Sequence, residues 1–208
     1  MSSQDLLPLT CHHRNVSEGH PMNYLKSFLP WIAFAVVSTQ ADWRWSGLTG
    51  LVLAGGLLAL ERRRGKGWDT LFIEVSAVVF FAALSIWSFS DPASPLRDYV
   101  GALTDLWLAV TAWGSLAAKR PFTLGIAKTM VPPEIAATAV FRRVNVVITA
   151  VWAASFTVAG IAEAVLLHSA PHATVGLIII KVLGFAIPIA FTIRYPRIVR
   201  ARAQKANQ

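Results

Sequence analysis

Long apolar stretches alternate with short polar or charged connections along most of the chain. The last four of these stretches reach the roughly 20 residues that a helix needs to cross about 30 Å of hydrocarbon. The first two are shorter and reach this length only with flanking Tyr, Trp and charged residues. The stretches cover residues 27–41, 45–60, 70–90, 99–118, 144–166 and 173–193. This pattern predicts an all-α, polytopic transmembrane helix bundle of about six spans, with a re-entrant hairpin of the first two stretches as the alternative.

The composition is typical of a membrane protein. The chain has 208 residues, of which 55% are hydrophobic and only 14% are charged. A soluble domain carries about 25% charged residues, so this chain has too little charge to cover a surface that faces water. Intrinsic disorder is excluded as well, because disordered chains combine few apolar residues with many charges.

The basic residues are distributed unevenly, which indicates an orientation in the membrane. The chain has 19 Lys and Arg residues against 11 Asp and Glu residues, a net charge of +8. With both termini in the cytoplasm, the basic residues outside the spans lie on the cytoplasmic side, apart from Arg44 and Arg97. This distribution follows the positive-inside rule. We therefore predict a multi-pass protein of the inner (plasma) membrane with both termini cytoplasmic.

The same basic residues predict which partners the surface meets. Lys and Arg that flank membrane helices attract anionic lipid headgroups, so the positive charge does not imply a nucleic-acid partner. The expected headgroup contacts are Arg62, Arg63, Arg64, Lys119, Arg120, Arg142 and Arg143.

The chain is expected to form one membrane domain with two polar ends. Residues 1–22 are predicted to be a disordered polar extension, 23–195 the helix bundle, and 196–208 a basic cytoplasmic tail. The longest loop precedes the fifth span. Because proline suits the first turn of a helix and a carboxylate complements its positive end, the fifth helix is expected to begin near Pro133 and Glu134.

Neither a cofactor nor a metal is expected. A single cysteine, Cys11, excludes an internal disulfide and a multi-cysteine cluster. The five histidines lie outside the deep parts of the spans, which argues against axial haem ligation. The sequence also lacks a Gly-rich phosphate loop, a His-Glu-x-x-His motif and a Gly-x-Ser-x-Gly motif. No catalytic residue is therefore assigned, although a membrane enzyme that acts on lipid stays open if two of the buried carboxylates converge.

Four ionisable residues lie inside the predicted spans, namely Asp105, Lys181, Glu163 and Glu74. A charge at the centre of a membrane helix costs at least about 2.5 kcal/mol, so such residues normally face the bundle and find partners. At ~1.5 Å per residue, Asp105 and Lys181 lie at a similar depth from the outer face, which makes an ion pair between them geometrically reasonable. Glu163 is either a third member or snorkels to water, and Glu74 lies near the cytoplasmic end. The group is either a polar track for an ion, proton or small solute or a structural ion pair.

Two further features concern helix shape and packing. Pro188, with Gly184 one turn earlier, predicts a kink in the sixth span, because proline removes a backbone hydrogen bond and clashes with the preceding turn. Small residues at four-residue spacing, Ser46, Gly50 and Ala54, allow close helix approach. They are expected to pack the bundle internally, with a homo-oligomer face as the alternative.

The middle of the chain resembles a known group of proteins. The relevant residues are Ser115-Leu-Ala-Ala-Lys-Arg-Pro-Phe-Thr123, then Phe141-Arg-Arg-Val-Asn145, Trp152 and Phe156. This arrangement resembles the small multi-pass families around intracellular septation protein A. The resemblance implies an inner-membrane protein that serves the cell envelope or septation through protein partners, without defined chemistry. Independently of it, residues 119–123 predict an interfacial turn in which cations meet lipid phosphates and Phe122 dips into the lipid boundary.

Overall fold

The computed structural model describes residues 22–38, 41–128 and 130–206. Within these ranges, all regular structure is helical, which confirms the all-α prediction. The α-helices are α1 (Met22–Val37), α2 (Trp43–Arg63), α3 (Phe72–Ser90), α4 (Val100–Ala117), α5 (Phe122–Lys128), α6 (Pro133–Ala136), α7 (Ala139–Ser169) and α8 (Thr174–Ala206). Apart from Met22, the predicted polar extension lies outside the described residues.

Four helical segments are long and apolar enough to cross a membrane. They are Phe72–Ser90, Pro95–Ala117, Ala139–Ser169 and Thr174–Arg202. In α1, the shorter stretch Phe28–Val37 is apolar. Helix α2 has 21 residues, but its Ser, Thr, Gly and terminal Glu and Arg residues lower its hydropathy. The structure therefore supports a membrane-embedded helical protein through four helices.

A capping side chain marks the start of two of the long helices, α2 and α7. Asp42 caps α2, and its Oδ1 atom accepts a hydrogen bond of 3.0 Å from the Arg44 backbone N–H. Thr138 caps α7 by accepting from the Phe141 N–H at 3.2 Å. The prediction that the fifth span begins near Pro133 is wrong, since Pro133–Ala136 forms a separate turn of helix. The extended backbone of Thr138 interrupts the helix, and its hydroxyl starts a new one.

The long helices pack in two groups of three, α1–α2–α3 and α4–α7–α8. Neighbours within each group run antiparallel and approach closely at glycine. A Cβ added at Gly50 of α2 would lie 2.5 Å from the ring of Phe81 on α3, and one added at Gly184 of α8 would lie 3.0 Å from the Ala159 Cβ on α7. Ser46, Gly50 and Ala54 are all buried in the bundle, so this stripe packs internally.

An aromatic cluster joins the two groups of helices. Phe28 of α1 stacks on Trp152 of α7 with ring centroids 5.3 Å apart, and Trp31 of α1 lies 4.8 Å from Phe81 of α3. Ring contacts extend the cluster to further helices, with Phe34, Phe80, Trp107, Phe156 and Phe185 as members. Most of these aromatic side chains belong to the buried hydrophobic core, and Trp107 and Phe185 pack against it.

Helix α5 is a short buried helix where the sequence predicted an interfacial turn. Lys119 adopts a positive φ of 57°, which turns the chain back after α4. The Phe122 N–H then donates to Ser115 Oγ at 3.2 Å, and Phe122 is only 6% exposed. The expectation that Phe122 dips into the lipid boundary is therefore wrong, because its ring is covered by protein.

We call the side of the bundle formed by residues 61–71 and 118–138 the basic end, and the side formed by residues 91–99 and 170–173 the opposite end. The seven residues predicted to contact headgroups are exposed and lie near the basic end. Some also make protein contacts. The Arg62 guanidinium lies 4.3 Å from the centroid of the Trp68 ring, and Arg142 donates to the Lys119 carbonyl at 3.1 Å.

Candidate functional site

Three of the four intramembrane candidates meet in one ionic triad, Asp105–Glu163–Lys181. The Lys181 Nζ lies 2.9 Å from Asp105 Oδ2 and 2.8 Å from Glu163 Oε1. It also donates to the backbone carbonyl of Gly101 at 3.3 Å. The contact expected between Asp105 and Lys181 is present. Glu163 is the third member rather than a residue that snorkels to water, because its side chain is only 4% exposed.

Antiparallel packing of three helices brings the triad together. Asp105 lies in the second turn of α4, Glu163 about two turns before the end of α7, and Lys181 about two turns after the start of α8. At ~1.5 Å per residue, Asp105 lies about 8 Å from the start of α4. The triad is therefore closer to the opposite end of the bundle than to the basic end.

Gly101 allows α4 to close over the triad. A Cβ at this position would lie 3.0 Å from Glu163 Oε2 and 3.7 Å from Lys181 Nζ. Since 3.0 Å is a tight contact between a carbon and a carboxylate oxygen, a larger residue would require Glu163 to shift by a few tenths of an ångström. The glycine also leaves its carbonyl open to Lys181, so α4 supplies two of the three oxygens around the ammonium.

The members of the triad differ in exposure. Asp105 and Glu163 are 1% and 3% exposed, respectively, whereas the Lys181 side chain is 37% exposed. The carboxylates therefore face the interior of the bundle, while the stem of Lys181 is partly exposed at the surface of the bundle. Among the described residues, Asp105 Oδ1 and Glu163 Oε1 are buried without a hydrogen-bond partner, although Glu163 Oε1 lies 2.8 Å from Lys181 Nζ in an ion pair.

The charged pair that precedes α4 in sequence lies outside the triad. Arg97 and Asp98 are both well exposed, and their side chains lie 3.5 Å apart. This 3-10 turn, Pro95–Tyr99, contacts both α4 and α7. The local charge at the site is therefore set by two carboxylates and one ammonium. When all three groups are ionised, their net charge is −1.

Glu74 is separate from the triad. It lies in the first turn of α3, near the basic end, and is buried. The two carboxylates that converge are Asp105 and Glu163, which belong to different helices. The four candidates thus form one cluster of three and one distant member.

Helix α8 continues through Pro188. Thr192 donates to the Pro188 carbonyl at 2.7 Å and accepts from Trp152 Nε1 at 3.0 Å, which links this turn of α8 to α7. Gly184 contributes the close approach to Ala159. The expected bend at these residues stays a prediction.

A buried hydroxyl cluster at the basic end was not predicted. Thr123 Oγ1 of α5 lies 2.7 Å from Thr149 Oγ1 and donates to the Asn145 carbonyl on α7 at 3.0 Å. Asn145 Nδ2 donates to the Phe141 carbonyl at 2.9 Å. Threonine is common in all parts of such sequences, so nothing in the pattern singled out Thr149. The cluster fastens α5 to α7.

No metal centre is found within the described ranges, where no group of three or more His, Cys, Asp or Glu side chains comes together. A surface groove of about 500 Å³ runs beside α7 and α8, lined mainly by apolar side chains such as Ile161, Val165 and Ile180. The triad does not contribute to its lining. The carboxylate oxygens of the ionic triad can hold a proton or a small cation. The triad is therefore the candidate functional site.

The fold and this site together define the class of the protein: it is a helical membrane protein with an ionic centre between its helices. Comparison of the chain with protein families, with curated proteins and with solved structures finds no match.

Proposed function

We propose that this chain is a proton- or ion-coupled transporter or channel for a small solute, and that the Asp105–Glu163–Lys181 triad is its coupling site. The observation that carries the proposal is that two almost fully buried carboxylates share a single ammonium. Ionisable residues within membrane helices rarely face lipid, and they commonly mark ion pathways and proton relays.

The charge balance of the triad favours reversible binding of one positive charge. With all three groups ionised, the buried site carries a net charge of −1, and a buried charge without compensation is costly. Uptake of one proton or one monovalent cation makes the site neutral. A site that alternates between these two states links ion binding to the packing of α4, α7 and α8.

The proposed setting is the inner (plasma) membrane, crossed by six helices, with both termini cytoplasmic. Support comes from the four helices of transmembrane length, from α1 and α2 as two shorter or less apolar spans, and from the basic residues gathered at one end. In this orientation the basic end contacts the anionic headgroups of the cytoplasmic leaflet. The triad lies nearer the outer face.

A flux assay tests the proposal directly. The purified protein is reconstituted in liposomes, and gradients of H⁺, Na⁺ and K⁺ are imposed in separate runs while internal pH and membrane potential are followed. Wild type should dissipate at least one gradient, and Asp105→Asn and Glu163→Gln should abolish that flux. The matched control is Asp98→Asn, which removes an exposed carboxylate near the same end of α4 and should behave as wild type.

Two outcomes would contradict the proposal. If wild type leaves every gradient intact, the triad is a structural ion pair and the transport proposal fails. If Asp105→Asn retains full flux while folded, a different site carries the ion.

A second candidate is a component of the cell envelope or septation that acts through protein partners or as a homo-oligomer. It is favoured by the surface of α8, whose most apolar segment is only 11% buried, compared with 44% in each of the other three helical segments of transmembrane length. Such an apolar surface contacts lipid or another membrane helix. Crosslinking in intact cells followed by affinity purification should recover recurrent envelope or division proteins, and recovery of the monomer alone counts against this candidate.

A further inference from the structure

We infer that the triad is a binding site for primary ammonium cations, and that the Lys181 side chain occupies it as a tethered, displaceable ligand. This inference rests on the proposed function, because it names the class of solute that the coupling site recognises. A small amine substrate would enter in its ammonium form and take the place of the lysine head group between α4 and α7.

The ammonium of Lys181 donates hydrogen bonds to Asp105 and to the Gly101 carbonyl, and it forms an ion pair with Glu163. An alkylammonium has three N–H donors and no acceptor. The Lys181 Nζ has three oxygens within reach, at 2.9 Å on Asp105, 2.8 Å on Glu163 and 3.3 Å on Gly101. These oxygens come from two helices other than the helix that carries the lysine. The acceptor set is therefore complete without α8.

The same geometry disfavours a divalent metal. Calcium takes 6–8 oxygen ligands at about 2.3–2.6 Å, and magnesium requires an octahedron at about 2.0–2.1 Å. Here three oxygens surround the Lys181 Nζ at 2.8–3.3 Å, close to the spacing of N–H···O hydrogen bonds, and three is fewer than either metal requires. The hydrogen-bond spacing and the small number of oxygens fit an ammonium group.

Displacement of Lys181 does not require the core to reorganise. The lysine side chain is 37% exposed, so its stem lies at the surface of the bundle while the two carboxylates stay covered. Among the four helical segments of transmembrane length, α8 has the least buried apolar segment. Helix α8 packs mainly on α7. Asp105 Oδ1 is buried without a hydrogen-bond partner in the described part of the chain, and this oxygen gives an incoming ammonium a further acceptor.

Chemical rescue tests the inference without any transport measurement. Lys181→Ala removes the side chain beyond Cβ, and n-propylammonium replaces the atoms that are lost. We expect Lys181→Ala to lower the Tm of the full-length protein in detergent. Millimolar n-propylammonium chloride should restore most of that loss, with ethylammonium and methylammonium progressively less effective. Wild type, whose site is filled by Lys181, should show no comparable rise in Tm.

Three controls make the result specific. Tetramethylammonium has no N–H donor and should not rescue. The double variant Lys181→Ala with Asp105→Asn should lose the response, whereas Lys181→Ala with Asp98→Asn should keep it. Equal rescue by NaCl or KCl overturns the assignment to ammonium, and so does the absence of rescue by any of the amines.

A second variant covers the case in which Lys181→Ala fails to fold. Lys181→Met keeps the length and apolar stem of the side chain but removes the charge. The Tm of this variant should rise with NH₄Cl and not with NaCl, and an equal response to both salts contradicts the inference. Ion flux in the reconstituted wild type without amine rescue leaves the proposed function standing and removes this inference. Amine rescue without any ion flux would keep the ammonium site and contradict the proposed transport function.

Discussion

Gly160 of α7 lies so close to Leu106 of α4 that a Cβ added at the glycine would meet the leucine Cγ at 2.8 Å and its backbone nitrogen at 3.1 Å. Leu106 is the residue next to Asp105, and Gly160 precedes Glu163 by about one turn. The close approach of these two backbones therefore sets the distance between the two carboxylates of the triad.

This relationship predicts the effect of one methyl group. Gly160→Ala should destabilise the protein by about 1–3 kcal/mol, as overpacking of a tight core usually does, because the backbone of Leu106 cannot move as a side chain can. Thermal unfolding in detergent measures the effect.

The matched control is Gly114→Ala on α4, where a Cβ meets nothing within 4 Å. It should be neutral or stabilise by up to about 1 kcal/mol, since alanine favours helix more than glycine does. Equal losses at Gly160 and Gly114 would show that the α4–α7 contact is looser than the structure implies.

The hydroxyl pair of Thr123 and Thr149 predicts non-additive losses. Each single change to Val leaves a buried hydroxyl without this partner and should cost about 1–3 kcal/mol. The double variant should lose less than the sum, because replacing both partners by apolar groups leaves fewer polar atoms unsatisfied. A double-mutant cycle based on urea or thermal unfolding measures the coupling.

Thr49→Val provides the comparison for that cycle. Thr49 Oγ1 donates to the Trp45 carbonyl of its own helix, so its replacement should change stability by less than about 0.5 kcal/mol. Strict additivity at Thr123 and Thr149 would mean that α5 is held by other contacts.

The ion pairs of Glu61 predict a pH dependence of stability. Glu61 lies beyond the apolar stretch 45–60, at the basic end, with Arg64 at 2.8 Å and Lys66 also in contact. Burial alone would raise the pKa of Glu61, but the hydrogen bonds and charges of Lys66 and Arg64 outweigh it and lower the pKa. The resulting stabilisation is present above the unfolded-state pKa of about 4.3 and is lost as the pH falls through the lower folded-state pKa.

The test compares Tm across pH for wild type and Glu61→Gln. The variant should be less stable at neutral pH, and the gap between the two should close as the pH drops below about 4. Glu134→Gln, which changes an exposed carboxylate, should not alter the pH profile. A gap that stays constant in acid would assign the effect of Glu61→Gln to packing instead of charge.

The proposed orientation predicts which surface positions react from each side of the membrane. In a chain whose Cys11 is replaced by Ser, single cysteines at Ala93 and Ala170 mark the opposite end, and those at Ala118 and Ala137 mark the basic end. All four positions are exposed. A membrane-impermeant maleimide should label the first two on intact cells, and the last two only after the membrane is opened.

Two labelling patterns would contradict the proposed orientation. Labelling of Ala118→Cys but not Ala93→Cys on intact cells would invert the topology. Labelling of one position at each end of the same helix would show that the helix does not cross the membrane.

Much of the helical framework was predictable because it depends on local composition. Helices α3, α4 and α8 begin close to the predicted starts, at Phe72, Val100 and Thr174, since an apolar stretch of that length forms a helix wherever it meets hydrocarbon. Boundaries that depend on a single side chain were harder to predict. The break before α7 arises from the cap at Thr138, and a proline pair nearby carried the stronger sequence signal.

Helix α5 could not be predicted for a different reason. Residues 119–123 favour an interfacial turn in the sequence, whereas the seven-residue helix that begins at Phe122 is covered by α7. The positive φ of Lys119 directs the chain inward, and the hydroxyl of Thr123 then finds Asn145 and Thr149. None of these partners is local in sequence.

By itself, the sequence determined that the protein is helical and that Asp105, Glu163 and Lys181 fall within apolar stretches, because length and hydropathy act along the chain. Only the tertiary structure decided that the three meet while Glu74 stands apart. Which faces of two helices touch depends on the rotation and separation of the helices. Those are set by contacts between distant residues, such as Gly160 with Leu106 and Gly184 with Ala159, and a one-dimensional pattern does not contain them.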